Sequence, residues 1–246
     1  AEEREVKPEE QKMSGFVFKI FANMDPKHRD RIAFLRICSG KFERNKNYRH
    51  IRLEREFKFP NPTMFMASKK TLLEEAYPGD VVGLYDSGNF KIGDTLTEGE
   101  LLHFKGIPSF SPEQFRYVEN ADPMMQKQFV KGLDQLMDEG VAQMFTRQSD
   151  GRRIIGTVGQ LQFEVIQHRL ESEYNAKCRY ESVSLHKACW VSADDPKAMA
   201  EFLDRRKRDI AKDSEGQLVF LAETPWILQT AQENFPKIRF SFTSEG

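Results

Sequence analysis

Four cations crowd one short stretch of this chain. Lys27, His28, Arg29 and Arg31 lie between and beside Asp25 and Asp30 in Asn23-Met-Asp-Pro-Lys-His-Arg-Asp-Arg-Ile-Ala-Phe34. Pro26 and the polar run around it read as a turn, and the apolar residues 32–38 read as a strand closed by the Ser39-Gly40 turn. Cations on a loop carried by a rigid strand can neutralise RNA phosphates. The competing reading is structural, with Asp25 and Asp30 pairing these cations so that the loop only holds itself together.

Other groupings offer less. Arg205-Arg206-Lys207-Arg208 reads as four successive helical residues flanked by Asp204 and Asp209, a solvated helix face rather than one binding surface. Arg152 and Arg153 open a strand, where only one of a neighbouring pair faces a given side. Gly156-Thr-Val-Gly159 precedes a helix but lacks the lysine and glycine spacing of a phosphate loop, so it reads as a tight strand-to-helix turn. The five histidines are scattered without the i, i+4 spacing of a helical metal site. No catalytic, nucleotide-binding or metal-binding set emerges from spacing. Cys178 and Cys189 read as small core residues, and Trp190 and Trp226 as core anchors.

Composition sets the outer bounds. The chain has 246 residues, of which 39% are hydrophobic, 30% are charged and 20 are Phe, enough for one large or two ordinary domains with real cores. The formal net charge is -1, so any RNA contact must come from a local patch rather than from the global field. No apolar run approaches the roughly 20 residues that cross a bilayer, and membrane association is not expected. Three widely spaced cysteines make neither a disulfide framework nor a metal pair, which suits reduced thiols in a cytoplasmic protein.

The hydrophobic period changes along the chain. Residues 1–13 are polar and read as a linker. Over 14–105, short alternating strands separated by turn signals such as Pro78-Gly79-Asp80 predict a closed antiparallel β-barrel. Phe16, Phe18 and Ile20 alternate there with Val17, Lys19 and Phe21, and residues 48–53 read as a further strand. Over 106–246, capped helices enter. Asp122-Pro123 starts one that Gly140 stops, and Gln160 to Tyr174 is a second. With residues 104–107 or 114–118 as the opening strand, the order β-α-β-β-α-β is a ferredoxin-like unit. Asp195-Pro196 and Thr224-Pro225 start two more helices in a C-terminal α/β extension, the first carrying Met199, Phe202, Leu203 and Ile210 inward. The extension either continues the sheet or forms a small separate lobe.

Several of these stretches carry a family resemblance. Ser14-Gly-Phe-Val-Phe-Lys-Ile20, residues 25–34, Glu74-Glu-Ala-Tyr-Pro-Gly-Asp80 and Ile92-Gly-Asp-Thr95 resemble the second domain of translational GTPases. Asp25-Pro-Lys-His-Arg-Asp-Arg31 and the C-terminal part are similar to the release factor 3 family. Gly156-Thr-Val-Gly-Gln-Leu-Gln-Phe163 is also close to an element of elongation factor G. The resemblance implies a translation-factor β-barrel followed by a ferredoxin-like domain, in a bacterial GTPase that frees stop-codon-reading (class I) release factors from the ribosome. Its implied partners are small-subunit ribosomal RNA, ribosomal proteins, the class I release factors and the parent's own G domain. GTP, GDP and Mg would belong to that G domain. No Gly-x4-Gly-Lys-Ser/Thr loop occurs here, and Asn45-Lys-Asn-Tyr48 lacks the Asp of a guanine-reading motif. The chain is therefore expected to be the non-catalytic back half of a larger protein. Lys27, His28, Arg29 and Arg31 would touch ribosomal RNA or the G domain. The alternatives are an independent RNA-binding adaptor, or a piece of an elongation factor G-like or ribosome-protection paralogue. The adaptor would need exposed rings on adjacent strands, and the strands over 141–145 and 154–158 offer only Phe145.

Overall fold

The computed structural model describes residues 3–22, 31–66, 69–104 and 111–243. The chain divides into two compact units, Ala1–Ile107 with Asp138–Gly140 and Gly246, and Pro108–Met137 with Val141–Glu245. Each contains its own eight-stranded sheet, and both sheets are antiparallel throughout.

The first unit is a barrel-like sheet of β1 (Ser14–Ala22), β2 (Arg31–Ser39), β4 (Asn47–His50), β5 (Arg55–Lys58), β6 (Thr63–Met66), β7 (Lys69–Leu72), β9 (Val81–Asp86) and β10 (Thr95–Thr97). A two-strand ribbon of β3 (Phe42–Glu43) and β8 (Glu75–Ala76) completes it. The sheet order is β5-β4-β10-β1-β2-β9-β6-β7, with the end strands β5 and β7 not paired to each other among the described residues. The seam between them holds a cleft of about 800 Å³, lined by Phe57, Phe59, Phe90, Leu72 and Tyr85 among others. Residues 48–53 are not one strand: β4 stops at His50 and a turn follows.

Alternation sends Ala33, Leu35, Ile37, Val82 and Leu84 into the core. In β1 it slips. A register shift falls between Val17 and Lys19, so that Val17 and Ile20, three apart, both point inward. The extra residue of a β-bulge has that effect, and it leaves Phe18, Lys19 and Phe21 outside instead of on alternate faces.

The polar N-terminal segment is tied to this barrel. Met13 is fully buried in its core, and its N–H donates to the Glu98 carboxylate at 2.6 Å. Arg4 bridges Glu10 and Glu100. Gly40 lies in the left-handed region at φ 63°, and a Cβ there would sit 2.4 Å from the Lys12 carbonyl carbon. Only glycine lets the end of β2 pass this segment so closely.

The second unit repeats one motif twice. β11 (Gln114–Asn120), α1 (Gln126–Asp138), β12 (Gln143–Arg147), β13 (Arg153–Thr157), α2 (Leu161–Tyr174) and β14 (Cys178–Ser182) form the first βαββαβ unit. β15 (Lys187–Ser192), α3 (Pro196–Arg205), β16 (Ile210–Lys212), β17 (Leu218–Ala222), α4 (Pro225–Asn234) and β18 (Arg239–Ser241) form the second. The sheet runs β14-β11-β13-β12-β16-β17-β15-β18. Read outward from the middle, both halves follow the same ferredoxin-like order. The extension therefore continues the sheet and also repeats the unit. The join is β12 with β16, through Thr146 opposite Lys212 and Arg147 opposite Ala211. Ile210, expected on a helix, opens β16, because α3 ends at Arg205.

The sheet curls around a core with no helix in it. Alternate residues Phe115, Tyr117, Phe145, Ile154, Ala188, Trp190, Val219 and Leu221 form that inner core, and the helices cover the other face. The strands of Phe145 and Trp190 are three positions apart, about 14 Å in a flat sheet. Their ring centroids are 6.2 Å apart, which requires strong curvature.

One buried carboxylate pins the barrel. Asp94 accepts from Arg52 at 2.6 and 2.8 Å and from the Lys91 N–H at 2.7 Å, and lies 3.0 Å from His50 Nε2. Burial pushes its carboxyl up, but the Arg52, His50 and Lys91 hydrogen bonds outweigh burial and hold it below the ordinary value. A folded value below the unfolded ~3.9 stabilises the fold above that pH, and the contribution is lost as pH falls through the folded value. Asp94→Asn is therefore expected to lower the urea midpoint at about pH 7, with the gap to wild type closing below about pH 4. An equal gap at both pH values would refute this.

Candidate nucleic-acid interface

The basic run falls between β1 and β2 in the sequence and includes the first residue of β2. Lys27, His28 and Arg29 lie outside the described residues. Arg31 opens β2 and is buried, with its guanidinium 3.6 Å from the Asp86 carboxylate. Asp86 also accepts from the N–H groups of Asn89 and Phe90, so it ties the end of β9 to the following turn. A desolvated cation held this way ties the start of β2 to the end of β9, with its charge turned away from solvent.

The other basic groupings are dispersed. Arg205 closes α3 and pairs with Glu201, while Arg206 pairs with Asp209 and lies over the Phe220 ring. A 3-10 turn takes up Lys207 to Asp209, so the four residues expected on one helix are split between two elements. Arg152 lies over the Tyr117 ring at 3.6 Å and bridges Glu119 and Glu181.

The Gly156–Gly159 turn has no donors to spare. The Gln162 side-chain oxygen accepts from the N–H groups of both Val158 and Gly159. A phosphate would have to displace that side chain. Burial pushes all three thiols up, Cys189 to about 12, so none is activated as a nucleophile. Among the described residues, no three His, Cys, Asp or Glu gather as a metal set would. No helix among them is long and apolar enough to cross a membrane.

One aromatic expectation fails, that of Trp226 as a core anchor. Phe145 is fully buried in the inner core and cannot stack on a ligand, because the curl of the sheet closes over it. Trp190 is a core anchor whose Nε1 donates to Asp213, but Trp226 is 71% exposed at the start of α4.

Apart from Trp226 and Phe242 in the second unit, the exposed rings among the described residues lie on the barrel. Phe18, Phe21 and Tyr85 are exposed on the outer face of β1 and β9, with Phe34 between them on β2. Phe34 lies 6.4 Å from Phe18 and 5.7 Å from Phe21, the latter edge to face. Lys19 Nζ sits 4.4 Å over the Phe21 ring. The bulge in β1 was the missing signal, since strict alternation puts Lys19 and Phe21 on the face opposite Phe18.

An antiparallel barrel followed by a helix-covered antiparallel sheet defines the class: these are translation-factor domains. Residues 12–99 match elongation factor G domain 2, and residues 104–232 match the class II release factor RF3, C-terminal domain. The second match spans more than half of the chain, which belongs to the class II release factor RF3 family. A crystal structure of a protein from Thermus thermophilus shares the fold, with TM-score 0.56 and 18% identity over 75% of this chain. This chain spans 29% of that protein's length.

Arg31→Met is expected to destabilise the protein by about 3 kcal/mol, because it leaves the Asp86 carboxylate buried beside an apolar side chain. The urea midpoint measures it. A variant as stable as wild type would show that the pair does not hold this end of the barrel.

Proposed function

We propose that this chain is the ribosome-binding, non-catalytic part of a bacterial release factor 3-like translational GTPase. In that reading the whole factor works in the cytoplasm and promotes GTP-dependent removal of class I release factors after peptide release. The observation that carries it is the pairing, in one chain, of an elongation factor G-type barrel with the RF3 C-terminal domain. The Arg31–Asp86 pair anchors the start of β2, next in sequence to the run with Lys27, His28 and Arg29. The C-terminal sheet runs unbroken from β14 to β18, so a displacement at one edge is carried to the other rather than absorbed at a hinge. GTP and Mg would act in a G domain, and no residue of this chain is assigned to them.

Co-sedimentation with ribosomes over a salt series tests the reading. The chain is expected to pellet with ribosomes and to show no saturable binding of labelled GDP. Lys27→Ala with Arg29→Ala is expected to weaken ribosome binding and to flatten its salt dependence by about one to two counterions. A chain that stays in the supernatant, or a double variant with wild-type affinity at every salt concentration, would overturn it.

A further inference from the structure

The geometry points to a stacking platform for an unpaired RNA strand on the outer face of β1, β2 and β9. Three observations carry it.

The first is the arrangement of rings. Phe21 is opposite Ile32, and Ile32 is opposite Tyr85, so one cross-strand row runs from β1 to β9. Directly opposed residues point to the same side of a sheet. The next row is Lys19, Phe34 and Gly83, with Phe18 beside it at the bulge. Gly83, opposite Phe34, is itself buried and adds no side chain to that row. Phe18, Phe21 and Tyr85 keep 37%, 51% and 44% of their surface accessible, a large fraction for three neighbouring rings.

The second is charge. The outward residues of these strands include Lys19 and Arg36 and no carboxylate. The one acid in the three strands, Asp86, is buried and faces Arg31. Nearly a third of the chain is charged and its net charge is -1, so an acid-free cationic face is a departure from the rest. Rings interleaved with cations suit a ligand that is both flat and anionic, as a single-stranded nucleic acid is.

The third is continuity with the cleft. Tyr85 also lines the seam cleft, where Lys58, Asn61 and Asn89 stand beside the Phe57, Phe59 and Phe90 rings. A strand crossing the platform would meet amides and a cation at its edge, with the Asp86 carboxylate in the same lining held by Arg31.

This inference rests on the ribosome-binding reading and names the chemistry of the contact. It assigns recognition to stacked bases rather than to phosphate neutralisation alone, so it targets unpaired RNA and not a duplex. Bases stack on ring faces, and a branched aliphatic side chain of similar apolar area offers none.

Fluorescence anisotropy of the 246-residue chain with a labelled short oligouridylate, and with an RNA duplex of equal length, tests it. Wild type is expected to prefer the single strand. Phe21→Leu with Tyr85→Leu keeps the face apolar and is expected to lose about tenfold in affinity per ring, with an unchanged thermal midpoint. Phe21→Trp is expected to bind at least as tightly as wild type and to show indole quenching on binding. Lys19→Gln is expected to reduce the salt slope by about one. Equal affinity for strand and duplex overturns the platform. So does a Leu pair that binds like wild type, the result expected if the face docks a protein instead. Ribosome co-sedimentation run in parallel separates the two readings. Ribosome binding without ring-dependent strand binding removes the platform alone, whereas ring-dependent strand binding without ribosome binding supports the platform and removes the wider reading.

Discussion

The C-terminal domain depends on a short antiparallel join between β12 and β16. Two residue pairs connect the halves, Thr146 with Lys212 and Arg147 with Ala211. Backbone pairing this brief would not hold two lobes together unaided. The inner core does, because Phe145 on one side of the join packs 6.2 Å from Trp190 on the other and 6.3 Å from Phe115 on its own side. Burying these rings rewards curvature, and curvature puts all four helices on the outer face. The same contact removes Phe145 from solvent. A sheet built this way has no aromatic platform to offer on its concave side.

The barrel is held differently, by carboxylates that serve the backbone. Asp80 accepts from the Tyr77 N–H, Asp86 from Asn89 and Phe90, and Asp94 from Lys91. Each is paired to its own turn at a strand boundary, where side-chain acceptors replace missing ladder bonds. Two of them, Asp86 and Asp94, also take a cation from another strand or turn. The acids of this sheet are thus drawn inward or to its ends. The outer face of β1, β2 and β9 is left with rings, lysine and arginine, so the electrostatic character of that face follows from how the turns are pinned.

The chemistry of single loops can be read without the fold. Gly156–Gly159 reads as a plain turn, and its amides are indeed taken by Gln162. Arg31 shows the limit of that kind of reading. Beside Lys27, His28 and Arg29 in sequence it looks equivalent to them, yet it is the first residue of a strand and its side chain goes inside. Adjacency in a charged run carries no information about which member has left the loop.

Local devices are legible along the chain: Asp195 and Thr224 as helix caps, Asn175 in the left-handed region at the end of α2, Gly140 at φ 72° after α1, and the sheet-forming periods of β2 and β9. These depend on interactions within a few residues. Long-range packing settles that β16 exists, that the tail repeats the first βαββαβ unit, and which face of β1 carries its rings. β16 is three residues long and follows an arginine-rich run, so it has no period to detect. It is a strand because β12 and β17 supply its partners. The bulge in β1 is likewise invisible locally, since it costs one unpaired residue and is favoured only when Val17 and Ile20 can both reach the same core. Pairing across long sequence distances selects such features, and no window along the chain contains both partners.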